Sequence, residues 1–285
     1  MKILICDSNA MCHRAKHTTG EMKFNENGTG CIYGFFTQLL TMLKKYKPDY
    51  IAFAWDSKTS LRKEMFPEYK AKRAKAKKDK AKAEQAFDKA CYAQFYEIQE
   101  EILPAIGFKN NFRIKGFEGD DLIASICLNN VGKKIVATSD NDMFQLLNDD
   151  VIIYDIRKKQ DFTAENFRDV YKITADNWAE VKALAGCDSD EVPGIQGVGI
   201  QTAIKYTQGL INHKYATYKK ITEDTCVVER NRKLVTLPLK GTPVIKLVKQ
   251  DQYDFQQMKT IFMDYGFRSL CGEKFDEWRT LLGRK

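Results

Sequence analysis

Three short apolar runs in this sequence each end in a carboxylate, and that pattern constrains the fold more than any other feature. Lys2–Cys6 leads into Asp7, Tyr50–Trp55 into Asp56, and Ile135–Thr138 through Ser139 into Asp140. A fourth run, Val151–Tyr154, follows. Short continuous apolar runs suit strands buried on both faces. Segments with helical apolar spacing separate them: Tyr33 to Leu43, the series Phe87-Cys91-Phe95-Ile98-Ile102, and Leu122 to Leu128. Strands alternating with helices predict an α/β fold with a mostly parallel sheet. Ligands of such sheets bind beyond the carboxyl ends of the strands. Asp7, Asp56 and Asp140 are therefore expected to converge on one edge.

More acids join them. Glu118-Gly119-Asp120-Asp121 precedes the helix expected at Leu122, Asp140-Asn141-Asp142 follows the third run, and Asp188-Ser189-Asp190 comes later. One or two carboxylates at a helix N-terminus complement its dipole. Three in four residues, with others converging, repel one another unless a cation binds. The candidate metal ligands are thus Asp7, Asp56, Glu118, Asp120, Asp121, Asp140, Asp142, Asp188 and Asp190. Oxygen donors select hard cations, so two Mg²⁺ ions are expected, with Mn²⁺ able to substitute. Two such ions about 4 Å apart orient and acidify a water and stabilise the leaving oxygen of a phosphodiester.

Charge narrows the partner. The formal net charge is +8, yet Lys70 to Lys82 carries eight basic residues against Asp79 alone. A positive run of that density is an electrostatic footprint for a polyanion, or else a solvated helix face. The eight cysteines are scattered without a Cys-x-x-Cys pair, which predicts reduced thiols in an intracellular, cytoplasmic protein rather than a zinc site. His13 and His17, four apart, read as an exposed polar helical turn. A secretory leader is not expected from the short apolar start, and no run of 18 apolar residues suggests a membrane span.

From about Thr174 the texture changes. Thr174 or Asp176 can cap a helix through Asn177–Leu184, followed by Pro193-Gly194-Ile195-Gln196-Gly197-Val198-Gly199 and a second helix over Ile200–Leu210. This is a helix–hairpin–helix pattern, and its open helix start suits a phosphate. A boundary near residue 172 separates a core, 1–172, from a helical region, 173–285, whose last part, 214–285, is expected to pack as helices.

In order along the chain, these residues resemble the 5′ nuclease superfamily, which includes flap endonucleases, phage 5′–3′ exonucleases and the 5′ nuclease domain of polymerase I. The resemblance rests on Asp7-Ser8-Asn9 with Arg14, Thr29-Gly30 and Tyr33-Gly34, and Trp55-Asp56. It continues through Arg62 with Phe66-Pro67-Glu68-Tyr69-Lys70 and Arg73, the Glu118 and Asp140 blocks with Gln145-Leu146, and the hairpin.

The resemblance implies a PIN-like nuclease core with a helical arch at about 66–100. One metal would lie among Asp7, Asp56, Glu118 and Asp120. A second would lie nearer Asp121, Asp140, Asp142 and the acids before the hairpin. Lys70 and Arg73 would act on the scissile phosphate. Arg14 would hold a phosphate near the metals. Arg62, Tyr69, Lys72, Lys75, Lys77 and Lys78 would contact DNA along the arch, and Gly197, Val198, Gly199 and Lys205 would do so at the hairpin, where a K⁺ ion is also implied. The implied substrate is DNA with a 5′ flap, a nick or a 5′ tail, cut by a monomer during primer or flap removal and repair.

Two positions depart from the family pattern. Bacterial members carry Gly-Asp-x-x-Asp-Asn before the hairpin, where this chain has Gly186-Cys187-Asp188-Ser189-Asp190-Glu191. Counting back from Pro193 matches Asp190 and puts Cys187 at the first acid, whereas counting forward from Gly186 matches Asp188. Gln201 also stands where the family often has Lys. The alternatives are an enzyme of this fold acting on RNA–DNA hybrids, a metal-dependent phosphatase, which leaves the basic run and hairpin unexplained, and a non-catalytic DNA-binding module.

Overall fold

Alternation along each strand decides which side chains go to which side of the sheet. The computed structural model describes residues 1–248 and 251–283, with side chains at all of these except Ala74, Lys77 and Lys78. The expected runs form β1 (Lys2–Asp7), β2 (Tyr50–Trp55), β4 (Lys133–Thr138) and β5 (Val151–Asp155), joined by two edge strands, β3 (Asn111–Arg113) and β6 (Gln160–Phe162). The sheet order is β3-β2-β1-β4-β5-β6, parallel throughout except for the β5–β6 pair. Neither edge strand carries a strong apolar run, which is why periodicity missed both.

Ile3, Ile5, Ala52, Ala54, Val136 and Ile153 enter one core, and Leu4, Cys6, Ile51, Phe53, Trp55, Ile135 and Tyr154 enter the other. The first core takes the helix Gly119–Asn129 and the helices Trp178–Ala185, Ile200–Thr207 and Thr225–Val235. The second takes Ser8–Thr19, Gly30–Tyr46 and Lys82–Glu97, with Phe255–Asp264 and Glu273–Leu282 packed outside. Residues on both sides of 172 therefore share both cores. Fully buried Phe36, Phe262 and Trp278 anchor the C-terminal helices to Gly30–Tyr46, and burying each such side chain contributes about 1.5–3 kcal/mol.

The C-terminal segment changes sides along an extended strap. Side chains from the sheet domain accept its backbone N–H groups: Asp121 from Leu239, Ser125 from Ile245, Asn130 from Leu247 and Asn110 from Val248. A second tether joins the helix Lys82–Glu97 to the helix Ser8–Thr19, where the buried Asp88 carboxylate accepts from both Lys16 and Lys80. Lys80 is thus committed to the fold despite lying in the basic run. His13 is half-buried, edge-on to Tyr92 and Phe95, so the expected exposed polar turn holds for His17 alone. No helix among the described residues is long and apolar enough to cross a membrane.

Candidate active site

The strand order reverses at β1, between β2 on one side and β4 on the other. A crevice opens at such a point, and Asp7, Asp56 and Asp140 stand at its lip, at or just beyond the ends of β1, β2 and β4. Asp7 also caps the helix Ser8–Thr19, its Oδ1 accepting from Ala10 N at 2.9 Å, while Oδ2 accepts from Thr138 Oγ1 at 2.7 Å. One carboxylate is thereby fixed to two strands and a helix. Asp56 Oδ1 accepts from Gly119 N at 2.7 Å, which ties the second strand to the start of Gly119–Asn129. Asp140 Oδ1 accepts from Asp142 N at 2.8 Å, folding the Asp-Asn-Asp segment into one tight turn.

Electrostatics makes this group a candidate cation site. Burial pushes Asp7 up to about 7, against the lowering hydrogen bonds from Ala10 and Thr138, and the charges of Asp56 and Asp140 add to the rise. Asp120 is held well above the carboxylate range by burial, then by Asp140, Asp7 and Asp56. Asp56 is raised by desolvation and by Glu118, and Asp140 by desolvation and by Asp142. Both open to solvent at the lip, so the protein crowded around them, rather than full enclosure, sets these shifts. Carboxylates that raise one another's proton affinity are a donor set that a divalent cation fits.

Glu118 behaves differently. Burial acts to raise it, but Lys70 and Arg62 outweigh that and hold it low. Its Oε2 accepts from Lys70 Nζ at 2.8 Å and Tyr69 OH at 3.0 Å. Lys70 sits in the left-handed region (φ 55°), pinned by its N–H to Asp190 O. Its ammonium loses to burial and gains more from Glu118 and Asp190, so it stays charged. Arg73 donates to Asp190 Oδ1 at 2.7 Å. The two cations expected on a phosphate therefore stand directly over the acids. Lys58, Lys63, Lys70, Arg73 and Lys80, with Glu118, line the adjoining cleft of about 550 Å³.

A second group forms beside the first. Ligand atoms of Asp142, Cys187 and Asp190 lie within 4.8 Å of one another. Lys182 Nζ is 2.7 Å from Asp142 Oδ1 and 3.6 Å from Cys187 Sγ. The thiol is raised by burial and by Asp142. The two-residue strand Gly186–Cys187 pairs with Val192–Pro193, which fixes the sulfur beside the acids. Asp190, on a 3₁₀ turn, faces inward, whereas Asp188 is exposed and outside this cluster.

Several expected residues lie elsewhere. Asp121 points away from the crevice and is fully buried, with both oxygens on the Arg62 guanidinium at 2.6 and 2.8 Å and further bonds from Glu118 N and Leu239 N. Arg62, expected on DNA, is buried on Asp121 and on Leu234 O at 2.7 Å. Tyr69 is buried, donating its hydroxyl toward Glu118 and Asp190. The Val198 side chain is in the core, while Gly197 (φ 82°) and Gly199 face open space. Arg14 lines a separate groove with Tyr33, Gln38, Tyr154 and Lys159. Lys72, Lys75 and Lys205 are exposed, and the side chains of Lys77 and Lys78 lie outside the described residues. Sequence reasoning missed Thr138, Lys182 and Ser60, whose Oγ donates to Glu118 at 3.2 Å. Each depends on a contact that local spacing does not encode.

The family model of the 5′–3′ exonuclease N-terminal, resolvase-like domain matches residues 2–172. DNA polymerase I of Mycobacterium tuberculosis (strain ATCC 25618 / H37Rv) is 31% identical, over 96% of this chain and 31% of its own length. The chain thus spans under a third of the polymerases it matches. A 5′–3′ exonuclease of Buchnera aphidicola subsp. Schizaphis graminum is 31% identical over 84% of this chain and 80% of its own. Among solved structures, T5 5′-exonuclease with bound zinc superposes with a TM-score of 0.73 at 19% identity, over 84% of this chain and 90% of that one. Flap endonuclease-1 from Methanococcus jannaschii gives 0.59 at 13%, over 99% and 92%.

Proposed function

The chain belongs to the 5′–3′ exonuclease family, and on that premise we propose that it is a divalent-metal-dependent, structure-specific 5′ nuclease. It hydrolyses phosphodiester bonds at the junction of branched or 5′-ended DNA, removing primers and flaps in replication and repair. One observation carries this reading: carboxylates at the ends of β1, β2 and β4 meet in one crevice, with Lys70 on neighbouring Glu118 and Arg73 on Asp190. A surface-binding module needs the cations but not four carboxylates held up by burial and by one another.

Asp7, Asp56, Glu118, Asp120 and Asp140 would hold Mg²⁺, with Mn²⁺ substituting, and Asp142 and Asp190 would hold a second ion. Bound there, the ions supply an acidified water and neutralise the leaving oxygen. The remaining roles belong to the chain itself. Thr138 and the Ala10 N–H keep Asp7 in one orientation. Lys70 stays protonated beside Glu118, and with Arg73 it offers fixed positive charge where the phosphate's negative charge grows. Lys72 and Lys75, exposed on the helix Ala71–Lys78, track backbone phosphates without reading bases. Gly197 and Gly199, with nothing within 4 Å of a side chain built there, let duplex backbone approach the start of Ile200–Thr207. In this reading 1–172 is the nuclease core with its arch, and 173–285 grips duplex.

The test is cleavage of a 5′-labelled flap duplex with Mg²⁺ and with EDTA, mapping the cut. Cutting at or next to the junction that needs the metal sustains the proposal. Salt-sensitive binding without cutting in any divalent ion would reduce the chain to a binding module.

A further inference from the structure

We propose that Cys187 is a metal ligand, so that the second cation site of this chain is a mixed sulfur–oxygen site that prefers a softer divalent ion to Mg²⁺. The inference rests on the nuclease reading for its function, but on the donor set for its chemistry. Among the described residues, Asp142, Cys187 and Asp190 are the one group whose three ligand atoms fall within 4.8 Å of one another. Tetrahedral donors at zinc-type distances of about 2.0–2.3 Å stand about 3.3–3.8 Å apart. Cys187 Sγ already lies 3.9 Å from Asp142 Oδ2, so a modest closing of the group brings the set around one ion.

The sulfur is built into place rather than left over. Cys187 is paired across to Val192 in the short strand, its Sγ lies 3.0 Å from Ser189 Oγ, and the Lys182 ammonium stands 3.6 Å away. A thiol that serves only as a small apolar filler has no need of two carboxylates and an ammonium around it. Lys182 supplies one positive charge to offset a thiolate beside Asp142 and Asp190. On metal binding the thiol gives its proton to solvent and the sulfur takes the ion. Among the described residues no other cysteine joins a group of three such donors: Cys6, Cys12, Cys31, Cys91 and Cys127 are buried, while Cys226 is exposed and Cys271 half-buried.

Soft thiolate donors favour Zn²⁺ and its relatives, while carboxylate sites suit Mg²⁺ and Mn²⁺. Cys187 in this donor set should therefore weaken Mg²⁺ here and admit Co²⁺, Zn²⁺ or Cd²⁺.

The experiment titrates the metal-free full chain with Cd²⁺ and follows the sulfur-to-metal charge-transfer absorbance. The parent is Cys226→Ser with Cys271→Ser, which removes the accessible thiols. The expected result is a band that saturates at one ion per chain, is lost when Cys187→Ser is added, and needs at least about tenfold more Cd²⁺ with Asp190→Asn, the lower range for disturbing a metal's supporting groups. Cys187→Asp should lower the Mg²⁺ needed for half-maximal flap cleavage by a similar factor. A band that survives Cys187→Ser, or no band in the parent, overturns the proposal. Junction cutting without a Cys187-dependent band leaves the nuclease reading standing and removes this one. A Cys187-dependent band in a protein that cuts with no divalent ion does the reverse.

Discussion

Arg62 is the residue at which sequence and structure assign opposite roles, and replacing it by Met separates them. As a DNA contact, its loss would weaken binding and lower the salt dependence by about one unit of slope. In the structure it makes three donor bonds, to Leu234 O at 2.7 Å and to Asp121 at 2.6 and 2.8 Å, with both charges buried. Arg62→Met leaves the enclosed Asp121 carboxyl holding only the Glu118 and Leu239 N–H groups. Breaking one side of a buried pair costs about 3–5 kcal/mol. For a chain of this size that lowers Tm by roughly 5–8 °C. Adding Asp121→Leu recovers only part of the loss, because the two N–H groups and Leu234 O stay unpaired. Thermal melts of the three variants, with duplex binding across a salt series, decide the matter. An Arg62→Met protein that melts within about 1 °C of wild type, or whose salt slope falls by about one, refutes the buried-tether assignment.

Other consequences follow from the same geometry. Asp120 is crowded by Asp140, Asp7 and Asp56, so Asp120→Asn should raise the metal-free Tm by a few degrees, on the order of 1 kcal/mol, and shrink the gain from Mg²⁺; a drop in metal-free Tm would contradict the repulsion. Asp7 binds its proton more tightly folded, at about 7, than an unfolded Asp does at about 3.9. Its penalty on the fold is absent below about pH 4 and complete above about pH 7. Metal-free melts should therefore fall between those limits, with Mg²⁺ stabilising most at the upper end, and a Tm that climbs through this window would refute the sign. Replacing Lys72 and Lys75 by Gln should flatten the salt dependence of binding to 5′-tailed DNA by about two units of slope, with an unchanged slope returning that helix to a solvated face.

What was legible in the sequence was set by local pattern. Short apolar runs ending in Asp7, Asp56 and Asp140 imply strand ends on one sheet edge, and the sheet has them there. Where sequence reading stopped, a distant partner decides. Asp120 and Asp121 are adjacent, and a helix turns about 100° per residue, so only one can face the crevice. Arg62, far along the chain, claims Asp121. The two registers for Asp188 and Asp190 separate only once a 3₁₀ turn ending at Glu191, in the left-handed region, turns Asp190 inward. Tyr69 and Val198 sit in motifs that resemble DNA-binding ones, yet their side chains are buried in the fold. Cys187 was visible as a departure, but its distance from Asp142 was not.

The central claim is that the acids form the metal centre of a nuclease and not merely an acidic lip. Single-turnover flap cleavage by Asp120→Asn and Asp140→Asn, with the affinity of each for the same DNA, tests it most directly. Losing metal-held charge worth several kcal/mol predicts a fall of at least about a thousandfold in cleavage, with affinity within a few-fold of wild type. Near-normal cleavage in both variants, or a loss of binding that accounts for the whole defect, would contradict the account.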